Sequence, residues 1–266
     1  MTLCAGCDVG AATAKAVVLD GDDILGFEII ACRASAVQSA TDVMDGLLKR
    51  LGLGYEDITC YVSTGYGREI VPFSSGNYSE ISCHGKGAHW LVPSIRTIID
   101  GGGQDCKAIG VNDRGQIDDF RMNTKCAAGT GRAVEIMTEA IGLEVSELGT
   151  YARRASDPVV LQEPCCILTE IEIRHLVLEG FETADIAAGI ADIIARRIAG
   201  LARNMGVRKD VAITGGLAKN EAVVEALEKH LGVEFVRFPY DPQIIGAIGA
   251  ALFASELAAG EGRVIR

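Results

Sequence analysis

The chain repeats one order of elements, and that repetition limits its fold more than any other feature. An apolar run, Leu3 to Val9, meets a turn at Gly10-Ala11-Ala12-Thr13. A strand resumes from Lys15 to Leu19, Gly21-Asp22-Asp23 turns the chain again, and a third strand runs from Ile24 to Ile30. Tight turns between three such strands predict an antiparallel meander. A helix follows from about Val37 to Leu51, with Val43, Leu47, Leu48 and Leu51 on one face and Gly52 near its end. Ile58 to Ser63 reads as a fourth strand, ending in Thr64-Gly65-Tyr66-Gly67-Arg68. At Thr97 the order restarts. Ile98 to Asp100 is a strand running into Gly101-Gly102-Gly103-Gln104-Asp105, Cys106 to Val111 is the next, and Asn112-Asp113-Arg114-Gly115 turns into Ile117 to Met122. An internal duplication is the plainest explanation. The boundary falls near Pro93 and divides the chain into residues 1–93 and 94–266, with the last helix free to pack back on the first part.

The remaining segments read less symmetrically. Glu80 to Trp90 is helical or irregular, and amphipathic runs start at Ala133, at Ile167 (to Glu179) and at about Ala184 (to Met205). A strand from Val211 to Thr214, a helix from Glu221 to Leu231, a strand from Val233 to Phe238 and a closing helix opened by Gly246 complete the chain. With a net charge of −11, nucleic acid and anionic membranes are excluded as partners. No apolar run reaches the ~18 residues of a membrane span, and Met1-Thr2-Leu3-Cys4 does not open a signal peptide, so the expected location is cytoplasmic. In that compartment the nine cysteines read as reduced thiols or metal ligands.

Three turns have the make-up of phosphate cradles. Asp8-Val9-Gly10 and Asp100 to Asp105 set carboxylates beside glycines, whose backbone N–H groups reach phosphate oxygens with no Cβ in the way. The carboxylates suit Mg²⁺ held through waters. Thr214-Gly215-Gly216 follows a strand and precedes a helix, an arrangement that suits a nucleotide's sugar or α-phosphate. None is a Walker A loop or a GxGxxG fingerprint. Two cysteines stand just before helix-like runs, Cys126 in Lys125-Cys126-Ala127-Ala128-Gly129-Thr130-Gly131-Arg132 and Cys165 in Pro164-Cys165-Cys166. A thiolate there faces unpaired N–H groups and the positive end of a helix dipole, which suits an anionic metal cluster. Buried, inert cysteines meet the same spacing. Cys4 and Cys7 lie in a strand, where they do not form a zinc or redox pair.

Taken in order, these motifs resemble the actin, hexokinase and acetate kinase superfamily, in which two duplicated domains close on ATP. The resemblance implies an α/β, duplicated RNase H-like two-domain ATPase. Within that superfamily the chain is most similar to the ATPase family that activates 2-hydroxyacyl-CoA dehydratases and forms the ATPase subunits of benzoyl-CoA reductase. The likeness rests on Asp8-Val9-Gly10 with Lys15, Ser63 to Arg68, Ser82-Cys83-His84, Asp100 with Gly102 to Asp105 and Lys107, and Lys125 to Arg132. It continues with Cys165 beside Glu170 and Glu172, Thr214 to Gly216 with Asn220, and Gly246 to Ala251. It implies one [4Fe–4S] cluster shared by two identical or similar subunits, with Cys126 and Cys165 as this chain's ligands. It also implies ATP with Mg²⁺, a ferredoxin or flavodoxin as electron donor, and an acyl-CoA dehydratase or aromatic-CoA reductase as the electron's destination.

Three departures from the family pattern bear on the site. Ala11 and Ala12 replace the usual Ser-Thr, so phosphate contacts there are expected from backbone or from Thr13. The Cys165-Cys166 doublet replaces one cysteine and leaves Cys166 as a second candidate ligand. Gly101 takes an apolar position and is expected to loosen the second turn. Asp8 and Asp105 are the candidates for ordering Mg²⁺, Gln104 for orienting the attacking water, and Asp100 for either task. Gly10, Thr13, Lys15, Gly102, Gly103, Gly215, Gly216, Asn220 and Gly246 are the remaining nucleotide candidates, although Lys15 equally reads as a solvated charge. His84, His89 and His175 read as structural, and the other six cysteines as small core residues. A small-molecule kinase, such as an amino-sugar kinase, would use the same ATP site without a cluster, but leaves Cys126 and Cys165 unexplained.

Overall fold

The computed structural model describes residues 2–123, 129–163 and 165–261, and these group into two compact units. The first comprises the residues up to 96, with 111–118 and those from 238 onward; the second comprises 97–110 and 119–237.

In the first unit, β1 (Leu3–Val9), β2 (Thr13–Asp20), β3 (Asp23–Ala31), β4 (Cys60–Thr64) and β5 (Gly76–Asn77) form a sheet of order β3-β2-β1-β4-β5. The tight turns make β1 antiparallel to β2, whereas the intervening helix brings β4 back parallel to β1. β1 is apolar without alternation because helices cover both its faces. On one face lies α1 (Ala36–Leu51), which buries Val43, Met44, Leu47 and Leu48. Ser35 caps its N-terminus by accepting from Gln38 N, and Gly52 ends it at φ 70°.

On the other face lies α8 (Ile245–Ala258), which is apolar on every side and accordingly enclosed. It packs against both β1 and α2 (Glu80–Leu91). Backbone meets backbone at these crossings. A Cβ on Gly6 would stand 2.0 Å from the Ala247 carbonyl oxygen, and one on Gly249 would stand 1.9 Å from that of Cys83. Gly85 and Gly87 weaken the helical signal of α2 and leave its sequence ambiguous. Packing resolves the ambiguity, since a Cβ at Gly87 would stand 2.3 Å from the Ile245 carbonyl oxygen.

The second unit repeats the plan. β6 (Thr97–Gly101), β7 (Cys106–Val111), β8 (Ile117–Asn123) and β9 (Val211–Gly215) form a sheet of order β8-β7-β6-β9, with β6 antiparallel to β7 and parallel to β9. Its helices are α3 (Gly131–Ala140), the short α4 (Leu148–Ala152), α5 (Cys166–Leu178), α6 (Thr183–Met205) and α7 (Glu221–Leu231). α6 supplies much of the core through Ile186, Ile190, Ile193, Ile194 and Ile198. The duplication extends to the register at the strand ends. Asp8 pairs across the ladder with Lys15 and lies beside Thr64; Asp100 pairs with Lys107 and lies beside Thr214.

The strand expected from Val233 to Phe238 is instead a single bridge between Val211 and Phe235. The Phe235 N–H donates to the Glu228 carboxylate rather than to a neighbouring strand, and only Val236 N reaches Val211 O. Among the described residues no helix is long and apolar enough to cross a membrane.

The α2–α8 crossing gives a test. Alanine normally stabilises a helix over glycine by about 1 kcal/mol. At Gly200 in α6, where a Cβ meets nothing within 4 Å, Gly200→Ala should raise stability by roughly that amount. Gly249→Ala should instead cost about 2 kcal/mol, because Cys83 O must give way. Urea titration of the two variants reads the opposite signs.

Candidate functional site

Each sheet ends in a buried carboxylate facing a lysine. At the carboxyl end of β1, Asp8 is 4% exposed and its Oδ2 lies 3.1 Å from Lys15 Nζ. The turn beyond it is closed by Gly10 N donating to Thr13 O at 3.1 Å, with Ala11 and Ala12 exposed at its tip. A side chain on Gly10 would press on Lys15 Nζ, so glycine there leaves the ammonium open to the turn. Lys15 is thus buried, not the solvated charge that its strand position allowed. Backbone also approaches Asp8 closely. Gly65 follows β4 at φ 85°, and a Cβ there would stand 2.5 Å from Asp8 Oδ1.

Gly246, in the first turn of α8, sits against both Asp8 and His84. A Cβ on it would stand 3.1 Å from Asp8 Oδ2 and 2.8 Å from His84 Nε2. His84 is a buried α2 residue that the sequence reading treated as structural. Its only sequence signal was its place in the Ser82-Cys83-His84 motif.

In the second unit, Lys107 Nζ lies 2.5 Å from Asp105 Oδ1 and 3.4 Å from Asp100 Oδ2, and all three residues are buried. Thr214 Oγ1 donates to Asp100 Oδ1 at 3.3 Å. Gly215, at φ 80°, repeats Gly65; a Cβ there would stand 2.8 Å from Asp100 Oδ1. Gly102 N donates to Asp105 O at 3.0 Å and closes the turn, with Gln104 exposed at its tip. Gly101 does not loosen this turn. It lies in β6, where a Cβ would stand 2.6 Å from Leu217 Cβ, so Leu217 fills the space that a larger residue would take.

The same turn is tied to α3. Gly131 N donates to Gly102 O and Arg132 N to Gly103 O, both at 2.9 Å. These are among the first N–H groups of the helix, which no intrahelical carbonyl can satisfy. Nearby, a cavity of about 570 Å³ opens beside Gly216, lined in part by Ser146, Thr150, Arg153, Lys219 and Asn220. Asn220 also caps α7 by accepting from Val223 N at 3.2 Å.

Cys126 and Lys125 lie outside the described residues, as does Pro164. Cys165 is the N-cap of α5 and is partly exposed. The N–H groups of Ile167 and Leu168 hold its thiol below the ordinary range. Its neighbour Cys166 points into the core beside α3 and α6. Burial pushes the Cys7 and Cys106 thiols up, and that of Cys83 up to about 12, as befits inert core residues. The two helices that follow the Cys126 and Cys165 motifs, α3 and α5, pack against each other. Among the described residues no three His, Cys, Asp or Glu side chains gather to hold a metal. An iron–sulfur cluster still fits the donor that is described, because a thiol with two backbone N–H groups aimed at it is a ready thiolate ligand.

Similar sequences point to one family. The sequence model of the BadF/BadG/BcrA/BcrD ATPase family matches residues 5–254. The activator of lactoyl-CoA dehydratase from Anaerotignum propionicum is 42% identical over 256 residues, covering 95% of this chain and 97% of the relative. The activator of the 2-hydroxyisocaproyl-CoA dehydratase from Clostridium difficile, solved with bound ADPNP, superposes with a TM-score of 0.92 at 36% identity and covers 100% of both chains. A ROK family glucokinase from Streptomyces griseus shares the fold alone, with a TM-score of 0.57 at 14% identity over 96% of this chain and 99% of that one.

The triad of buried charges can be tested directly. Lys107→Met leaves Asp100 and Asp105 without their shared cation and should cost about 3 kcal/mol. Adding Asp105→Asn should restore part of that loss, as read by denaturant midpoints at constant slope.

Proposed function

This chain belongs to the BadF/BadG/BcrA/BcrD ATPase family, and we propose that it couples ATP hydrolysis to low-potential electron transfer. Its targets would be 2-hydroxyacyl-CoA dehydratases or aromatic-CoA reductases. The observation that carries this reading is the pair of hydrogen bonds from Gly131 N and Arg132 N to the Gly102 and Gly103 carbonyls. Through them a turn built for phosphate is anchored on the helix that the Cys126 motif opens. A turn that shifts with the state of its nucleotide would shift that helix as well.

On this reading, backbone N–H groups of Ala11, Ala12 and Thr13 and of Gly103 would receive phosphate oxygens, assisted by Lys15, while Gly10 N and Gly102 N close the two turns on Thr13 O and Asp105 O. Asp8 in the first unit, and Asp105 with Asp100 in the second, are the carboxylates suited to ordering Mg²⁺ through waters, and Gln104 at its exposed tip would orient the attacking water. Gly215, Gly216 and Asn220 would take the sugar and α-phosphate beside the second-unit cavity, and Gly246 would contribute backbone beside Asp8.

Cys126 and Cys165 would hold a [4Fe–4S] cluster together with the same pair from a second ATPase subunit. When bound, the cluster supplies a one-electron carrier of low potential. The surface of α5 supports a shared site. Ile167, Leu168 and Ile171 are 46–61% exposed in the first turns of α5, directly beside Cys165. An apolar patch adjoining a half-built ligand set is what a second copy would cover.

Anaerobic purification tests the reading. A brown protein that gives an EPR signal on reduction and hydrolyses ATP is the expected result. Cys126→Ala and Cys165→Ala should each lose the iron while retaining nucleotide binding, whereas Cys166→Ala should keep it. Colourless wild-type protein that phosphorylates a sugar would replace this reading with the kinase.

A further inference from the structure

The segment that delivers Cys165 has no regular secondary structure, yet side chains hold it throughout. Asp185 Oδ1 accepts from Ser156 N and Asp157 N, at 2.8 and 2.9 Å. The Glu172 carboxylate accepts from Gln162 N and Glu163 N, at 3.2 and 3.3 Å. Two successive arginines of α6 take the carbonyls: Arg196 Nη2 donates to Leu161 O at 2.6 Å, and Arg197 Nη2 donates to Glu163 O. The two differ in setting, for Arg196 is exposed and Arg197 half-buried.

Arg197 alone of the two reaches the cysteine's own turn. Its Nη2 donates to Thr169 Oγ1 at 3.4 Å, and that hydroxyl lies 2.9 Å from Cys165 O and 3.1 Å from Glu163 O, either of which can accept from it. The Arg197 stem also adjoins Gly129, the first described residue after Cys126. A Cβ on Gly129 would stand 3.6 Å from Arg197 Cβ. One residue of α6 therefore borders both segments that carry the proposed ligands.

We propose that Arg197 positions these two segments and sets the reduction potential of the iron–sulfur site through its fixed positive charge. The inference rests on the cluster reading above. A cluster held by thiolates is already anionic and becomes one unit more negative on reduction. A half-buried guanidinium bonded into the turn of a cluster ligand would favour the reduced form more than the oxidised form, because screening there is weaker than in bulk water. Arginine suits the task because it stays charged at any working pH and its planar fork can serve a carbonyl and a hydroxyl together. The carboxylates of Glu163 and Glu172 lie on the same segment or against it, and Arg197 opposes their field.

Arg197→Met and Arg197→Lys separate charge from shape. Each full-length variant is reconstituted anaerobically with iron and sulfide, assayed for iron content, and titrated by EPR against dye mediators. Arg197→Met should retain iron but lower the reduction equilibrium constant about tenfold, a potential more negative by ~59 mV. Arg197→Lys should recover most of that shift. Loss of iron in the Met variant with retention in the Lys variant would also support a requirement for charge. An unchanged potential in Arg197→Met, equal shifts in both variants, or loss of iron from both would overturn the proposal and leave Arg197 a structural tie. Wild-type protein that takes up no iron would overturn the cluster reading, and the Arg197 proposal with it.

Discussion

A lysine directly across an antiparallel ladder from a buried aspartate is the interaction on which both halves of this protein depend. The pairs Asp8–Lys15 and Asp100–Lys107 occupy the same register in the two sheets. Burying such ions rarely improves on a well-packed apolar pair, and removing one partner strands the other in a poor solvent. The arrangement is therefore costly as architecture and sensible as a site. It sets a negative oxygen and a positive nitrogen at the carboxyl end of each sheet, where turns supply backbone N–H groups. The surrounding backbone obeys the same need, since Gly65, Gly215 and Gly246 each leave room that a Cβ would take from a carboxylate or from His84.

Close backbone approach is the second device. With few aromatics available, α8 reaches β1 and α2 through glycine and alanine rather than through interlocking large side chains. Such contacts are stiff, because carbonyls and helix backbone cannot yield as a leucine rotamer can. The part of the second unit around Cys165 is built differently. There α3 and α5 pack together, the segment before Cys165 hangs from carboxylates and arginines, and one side of α5 remains apolar and exposed. Polar tethers and an open apolar surface there take the place of close backbone contact.

The two cysteines of the doublet show how one residue's step along a helix start decides chemistry. Cys165, at the N-cap, meets two N–H groups and stays partly exposed, while Cys166, in the first turn, is turned into aliphatic core. Their residue type is identical. Only the helix boundary distinguishes them.

The sequence by itself determined the elements and their repetition. The strands around Asp8 and Asp100, the turns after them, and helices α1, α6 and α7 follow from apolar periodicity and from glycine, proline and capping residues, which act over a few positions. The equal spacing from Asp8 to Lys15 and from Asp100 to Lys107 was present in the chain, but the register that makes them partners required a sheet. What only the tertiary structure decided depends on contacts between residues far apart in sequence. Gly246 of α8 comes to lie against both His84 and Asp8; Gly101 fits because Leu217 fills its space; and α2 stays helical through Gly87 because α8 packs against it. The missing last strand has a nearer cause, for Glu228, seven residues before Phe235, takes the N–H that a ladder would have used. Local patterns fix what a segment tends to form, and only distant partners fix which of its groups remain available for chemistry.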